Sequence, residues 1–109
     1  MSHTNVVEVR DNLRAFFRSG GTRSASWRRR QLKALRRLVK ENEGQLTGAL
    51  HSDLGKSNFE AWVTELYVII NELDHTLRHF EDWMEPEPVH TPVVIQPASS
   101  TIHLSLIHI

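Results

Sequence analysis

Val6, Val9, Leu13, Phe16 and Phe17 recur at i, i+3, i+7, i+10 and i+11, which places them on one face of a helix. Gly20-Gly21 follows Ser19 and supplies a stop that tolerates left-handed backbone, so the spacing predicts a first helix over about residues 4–19. Ser24 or Ser26 can cap the next helix by accepting a bond from a free first-turn N–H. Leu32, Leu35, Val39, Leu46, Ala49 and Leu50 then form a near-heptad seam, with Lys33, Arg36, Arg37, Lys40, Glu41 and Glu43 on the solvent side. One helix is therefore expected from there to Asp53-Leu54-Gly55, where Gly55 serves as the stop. Gly44 and Gly48 lower its propensity by roughly 1 kcal/mol each relative to alanine, and mark either close helix contact or a fray.

The third helix opens on Ser57-Asn58-Phe59-Glu60, which reads as a capping box. Phe59, Leu66, Leu73 and Phe80 repeat every seventh position, Trp62 and Ile69 form a second row, and Val63, Ile70 and Leu77 a third. Together they cover an arc of roughly 160°, wider than the ~100° stripe of an ordinary surface helix. Such a helix needs partners on more than one side, and the two narrow-faced helices before it do not supply them. Pro86 ends it, because the residue before proline is driven out of the helical region. The stretch 87–92 reads as an extended connector, Val93-Val94-Ile95 as a strand, 96–100 as a turn and Thr101-Ile102-His103 as a returning strand. A lone hairpin of this size is marginal in water and expects a larger sheet. The fold class is mainly α: three amphipathic helices and a short C-terminal β-hairpin.

The net charge of zero conceals a division. Residues 1–40 carry eleven Lys/Arg against two Asp/Glu, and residues 41–109 carry two against eleven. The bland explanation, helices packing with complementary charge, is favoured over a nucleic-acid arm. The cluster Arg28, Arg29, Arg30, Lys33, Arg36, Arg37 and Lys40 has no interleaved aromatics, recognition-helix pattern or zinc spacing, so no nucleic-acid partner is assigned. A membrane-surface role is disfavoured because no broad Trp/Phe/Leu face opposes the cations within that helix. No 18-residue apolar run exists, so no membrane-spanning segment is expected. The N-terminus lacks a secretory apolar core, and a cytoplasmic setting is expected.

The chain has no cysteine, which removes disulfides, thiolate metal sites and a cysteine nucleophile from these residues. His75 and His79 stand at i, i+4 with Glu72 and Asp74 nearby, but Thr76 occupies the place where a zincin carries glutamate. Glu60, Glu65, Glu72 and Asp74 are carboxylates better suited to face the basic helix than to do acid–base chemistry. No glycine-rich phosphate loop and no G-x-S-x-G occurs. No catalytic, cofactor-binding or metal residue is assigned.

The run from Arg18 through Ser19-Gly20-Gly21-Thr22-Arg23 to Trp27-Arg28 and Gln31-Leu32 with Leu35 resembles the "SGxTR…WRxxQLxxL" opening of class 3, fatty-aldehyde-dehydrogenase-like aldehyde dehydrogenases. Ala49-Leu50 with Asp53-Leu54-Gly55-Lys56 is similar to the family's "AL..DLGK" segment. Glu65, Ile70 and Glu72, then Trp83 with Glu85-Pro86, resemble its third helix and the end of it. Thr91-Pro92 through Pro97-Ala98-Ser99 to Ile102-His103 resembles the lead-in to the "SEPLGVV" strand. The resemblance covers about residues 6–103 and implies part of an α/β enzyme with a Rossmann-like cofactor domain. It implies oxidation of an aldehyde to a carboxylic acid with NAD or NADP, in a homodimer. The family's cysteine nucleophile, glutamate, asparagine and glycine-rich cofactor segment lie further along its chain. Residues 1–103 are therefore expected to be an incomplete N-terminal part of the domain, inactive alone and unable to bind the cofactor.

The pattern breaks at Leu104, where the family expects Ser-Glu-Pro-Leu-Gly. Residues 104–109 are what CTG-TCT-CTT-ATA-CAC-ATC encodes, the end of a transposon adapter used in sequencing libraries. A chance match to six specified residues is roughly 10⁻⁷. The tail is expected to be translated adapter, and reading the genomic frame past the codon for His103 separates this from a genuine terminus. Two other readings of the chain remain open: a free-standing module binding RNA or DNA through its second helix, and a small interaction protein whose third helix docks a partner.

Overall fold

A computed structural model describes residues 5–105. The proposed adapter tail lies outside the described residues from position 106 onward. Helix α1 spans Val6–Arg18 and is capped by the Asn5 side chain, which accepts from the N–H groups of Val7 and Glu8. Gly20, with φ of 82°, makes the left-handed turn that frees the chain for the next element. Helix α2 spans Ala25–Glu41, and Ser24 is its cap, accepting from Trp27 N at 3.2 Å.

The single second helix expected from the seam is two helices. Asn42 interrupts it at φ −110°, its side-chain Nδ2 donating to Leu38 O at 2.8 Å, and α3 begins anew at Glu43–Leu54. A short amide that bonds back to the preceding turn competes with helix continuation, which is how the seam could continue while the backbone did not. Gly44 and Gly48 do not mark close contact, since a Cβ at either would meet nothing within 4 Å. Gly55 closes α3 at φ 68°, as expected.

The third predicted helix is continuous in course but not in pitch. It consists of α4, Asn58–Ala61, a π-turn over Trp62–Leu66, and α5, Tyr67–Met84. Ser57 accepts from Glu60 N, the serine half of the capping box. Thr64 Oγ1 donates to Glu60 O at 2.7 Å, drawing that carbonyl away from the ordinary backbone ladder. The π-turn shifts the rows. Leu66, Leu73 and Phe80 are buried together, while Phe59, assigned to the same heptad row by sequence, is 76% exposed on the far side of the shift.

The C-terminal strands are a two-stranded antiparallel ribbon, with one element placed differently from expectation. Strand β1 is Glu87–Val89 and β2 is Ser100–Ile102, paired as Glu87 with Ile102, Pro88 with Thr101 and Val89 with Ser100. Val93–Ile95 forms a 3₁₀ turn, not a strand. Pro92 and Pro97 bracket those three residues and remove the N–H donors a ladder would need at each side. The loop is held instead by Thr91 Oγ1 donating to Ser100 Oγ and Gln96 Nε2 donating to Thr91 O.

The core is small: Val39, Ala61, Leu66, Leu73 and Phe80 are its buried apolar residues among those described. The Cα radius of gyration is 19.9 Å and the longest dimension 63 Å, whereas a compact domain of this length has a radius near 13 Å. The accessible surface of 9224 Å² compares with about 6,200 Å² for a folded monomer of this mass. Exposed helix faces contribute to the excess, those of α1 and α5 among them.

Candidate interaction surface

Charge complementarity between α2 and α5 builds the best-defined contact. Arg36 Nε donates to Asp74 Oδ1 at 2.7 Å and its Nη2 to Oδ2 at 3.3 Å, a two-pronged pair. Two turns earlier, Arg29 donates to Glu81 Oε1 at 2.6 Å and 3.2 Å, and its guanidinium lies 5.0 Å from the centroid of the Phe80 ring. Asp74 is held below its usual range first by the hydrogen bond from Arg36, which outweighs the opposing effect of burial, and then by the charges of Arg36, Arg78 and Lys40. The Arg36 guanidinium is pushed up by the same partner. Arg28 has a third role, donating to Thr22 O at 2.8 Å and fastening the loop after α1. The expected pairing of the basic helix with carboxylates of the third is thus found at Arg36 and Arg29.

Of the four carboxylates considered by sequence, Asp74 meets α2, and Glu65 binds Lys56 Nζ at 2.7 Å beside Thr64. Glu60 and Glu72 stay exposed. Glu81, which carries the Arg29 contact, was not singled out; its spacing of seven from Asp74 was the available signal. The His75 and His79 rings meet at a tilt of 48° with centroids 4.5 Å apart, and Trp83 stacks on His79. Among the described residues no group of three or more His, Cys, Asp or Glu is arranged to hold a metal ion. What these side chains build is surface.

That surface is apolar in two places. Trp62 in the π-turn and Ile69 and Trp83 on α5 are each about two-fifths exposed, and Phe59 and Tyr67 more so. Trp62 and Tyr67 touch at a centroid distance of 5.4 Å. Helix α1 has no buried residue; Val6, Val9, Leu13, Phe16 and Phe17 all face outward. Its one ring contact with the rest is Phe16 on Trp27, centroids 5.7 Å apart, beside Gly21. Exposed apolar side chains of this kind, rich in Trp, Tyr and Phe, are the material of docking faces. Among the described residues no helix is long and apolar enough to cross a membrane.

No protein-family model matches the chain. Over most of its length it is similar to aldehyde dehydrogenases of family 3. It is 44% identical over 94 residues to aldehyde dehydrogenase family 3 comG of Dictyostelium discoideum, covering 86% of this chain and 20% of that protein. It is 45% identical over 86 residues to a dimeric NADP-preferring aldehyde dehydrogenase of Rattus norvegicus, covering 79% and 19%. Among solved structures, the substrate-bound state of Staphylococcus aureus AldH superposes with a TM-score of 0.82 at 31% identity, over 92% of this chain and 22% of that one. The chain spans about a fifth of the length of the curated relatives it matches.

Proposed function

We propose that this chain is the N-terminal helical part of an aldehyde dehydrogenase of the family 3 type, and that its exposed apolar faces dock onto the remainder of that enzyme. The observation that carries the reading is the superposition on AldH over nearly the whole chain, because it concerns the same elements whose faces are left uncovered. The whole enzyme would oxidise an aldehyde to a carboxylic acid with NAD or NADP and work as a homodimer in the cytoplasm. The present residues would contribute scaffold and not chemistry: they hold no cysteine and no glycine-rich phosphate loop. Residues 1–103 would then be one incomplete domain part, inactive and unable to bind the cofactor alone, and residues 104–109 an addition foreign to it.

A chimera tests this. Residues 5–103 of this chain replace the matching N-terminal segment of AldH, and reduction of NAD(P)⁺ by an aldehyde is followed. Soluble, active chimera is expected, with neither this chain nor the truncated AldH active alone. A chimera that folds no better than the truncated enzyme would overturn the docking assignment.

A further inference from the structure

His75 and His79 stand one turn apart on α5, the first exposed and the second half-buried. On the helical wheel they lie roughly opposite Asp74, Leu77, Phe80 and Glu81, the residues of α5 that meet α2. Their rings are tilted by 48° with centroids 4.5 Å apart. Two imidazoles that share one ion, each through a nitrogen at about 2.0–2.1 Å, have their centroids about 4.5–5 Å apart. The observed spacing is therefore that of a chelating pair. Aiming both nitrogens at one point takes only rotation about χ2, a broad torsion in histidine. Trp83 stacks on His79 at an interplanar angle of 24° and braces that ring from the next turn. The His51 and His103 rings each have a hydrogen-bond partner, whereas His75 and His79 have none among the described residues, so their nitrogens are not already spent. Glu72 and Asp82, three residues to either side, are exposed and add negative charge without completing a set of three protein ligands.

We propose that His75 and His79 chelate a divalent transition-metal ion of the class that favours imidazole, with water in its remaining positions. Zn²⁺, Cu²⁺ and Ni²⁺ belong to that class, while Mg²⁺ and Ca²⁺ take oxygen ligands. With two protein ligands, and Thr76 where a zincin carries its glutamate, the ion is a clip across one turn of α5 and not a hydrolytic centre. The site does not depend on the docking reading, since both ligands are present in this chain alone.

The test titrates the full 109-residue chain, without an affinity tag, with Zn²⁺ by isothermal calorimetry, and follows its thermal melt by far-UV circular dichroism. His75→Gln with His79→Gln should lose one Zn²⁺ equivalent, and Zn²⁺ should raise the melting temperature of the parent but not of that variant. Each single substitution should lose the same equivalent, because one imidazole cannot chelate. Should the double variant lose helix without metal, His75→Gln, at the exposed position, reads the same pair. Mg²⁺ should give neither heat nor a shift in melting. An unchanged stoichiometry in a folded variant assigns the binding to the other histidines and overturns the proposal. Equal binding of Mg²⁺, or no binding of Zn²⁺ by the parent, overturns it as well.

Discussion

Helices α2 and α1 are built from similar material: each has an apolar stripe, a side-chain N-cap and several arginines. Yet α5 buries Leu73 and Phe80 and returns two carboxylates to the arginines of α2, while α1 buries nothing and is fastened chiefly at its C-terminal end. The difference lies in what faces each stripe. Capping and amphipathicity suffice to specify a helix, but tertiary packing supplies most helical stability. One helix has its partner in the chain and the other does not.

The largest effect should come from the centre of the partnered region. Phe80 is buried and covered by the Arg29 guanidinium, so Phe80→Ala removes both the ring and the surface on which the cation lies. A loss of about 3–5 kcal/mol is expected for such a truncation. With so few other buried residues the α2–α5 contact should come apart, which thermal melts followed by near-UV circular dichroism would report. A variant that melts like the parent would mean that the ion pairs, not the ring, hold the helices together.

A smaller effect should appear in acid. Because Asp74 is held below its ordinary range in the folded state, the pair with Arg36 stabilises at pH values above the carboxylate's unfolded value and is lost as pH falls through the folded one. Both side chains are more than a third exposed, so solvent screens the pair and the gain is modest. Melting temperature measured downward from neutral pH should therefore drop less steeply in Asp74→Asn than in the parent. Identical acid limbs would mean that the Arg36–Asp74 pair adds nothing to the stability.

Much of this architecture was legible in the residues, because helix periodicity and caps are local. The stripe of α1, Ser24, the Ser57 cap and Gly55 all act within a turn or two of themselves, and each stands where the pattern placed it. The misses arose where a side chain competes with the backbone. Asn42 and Thr64 each bond to a carbonyl four residues back, giving a break in one helix and a π-turn in another, and neither disturbs the hydrophobic repeat enough to be seen in it. The strand expected at Val93–Ile95 failed because apolar composition outweighed the two bracketing prolines in that reading. The docking surface was legible only as a surplus: the third helix was too broadly apolar for its neighbours. The exposed Trp62, Ile69 and Trp83 are that surplus in place, though which residues would be left over depended on a phase shift the sequence did not display.

The smallest effect is also the most discriminating. Leu13 lies mid-stripe on α1 and is 66% exposed, so Leu13→Ala should change the stability of this chain by no more than about 0.5 kcal/mol, the range of ordinary surface substitutions. Within the AldH chimera, where α1 would have a body to lie against, the same substitution should cost about 2–5 kcal/mol, as burial of a leucine demands. Comparing the two melts isolates the contribution of the AldH body from that of the helix, since propensity and capping are common to both. A small change in both settings would leave α1 an uncovered arm and confine docking to the face of α5. A large change in the isolated chain would show that α1 packs on its own neighbours, and the contrast between the two regions would disappear.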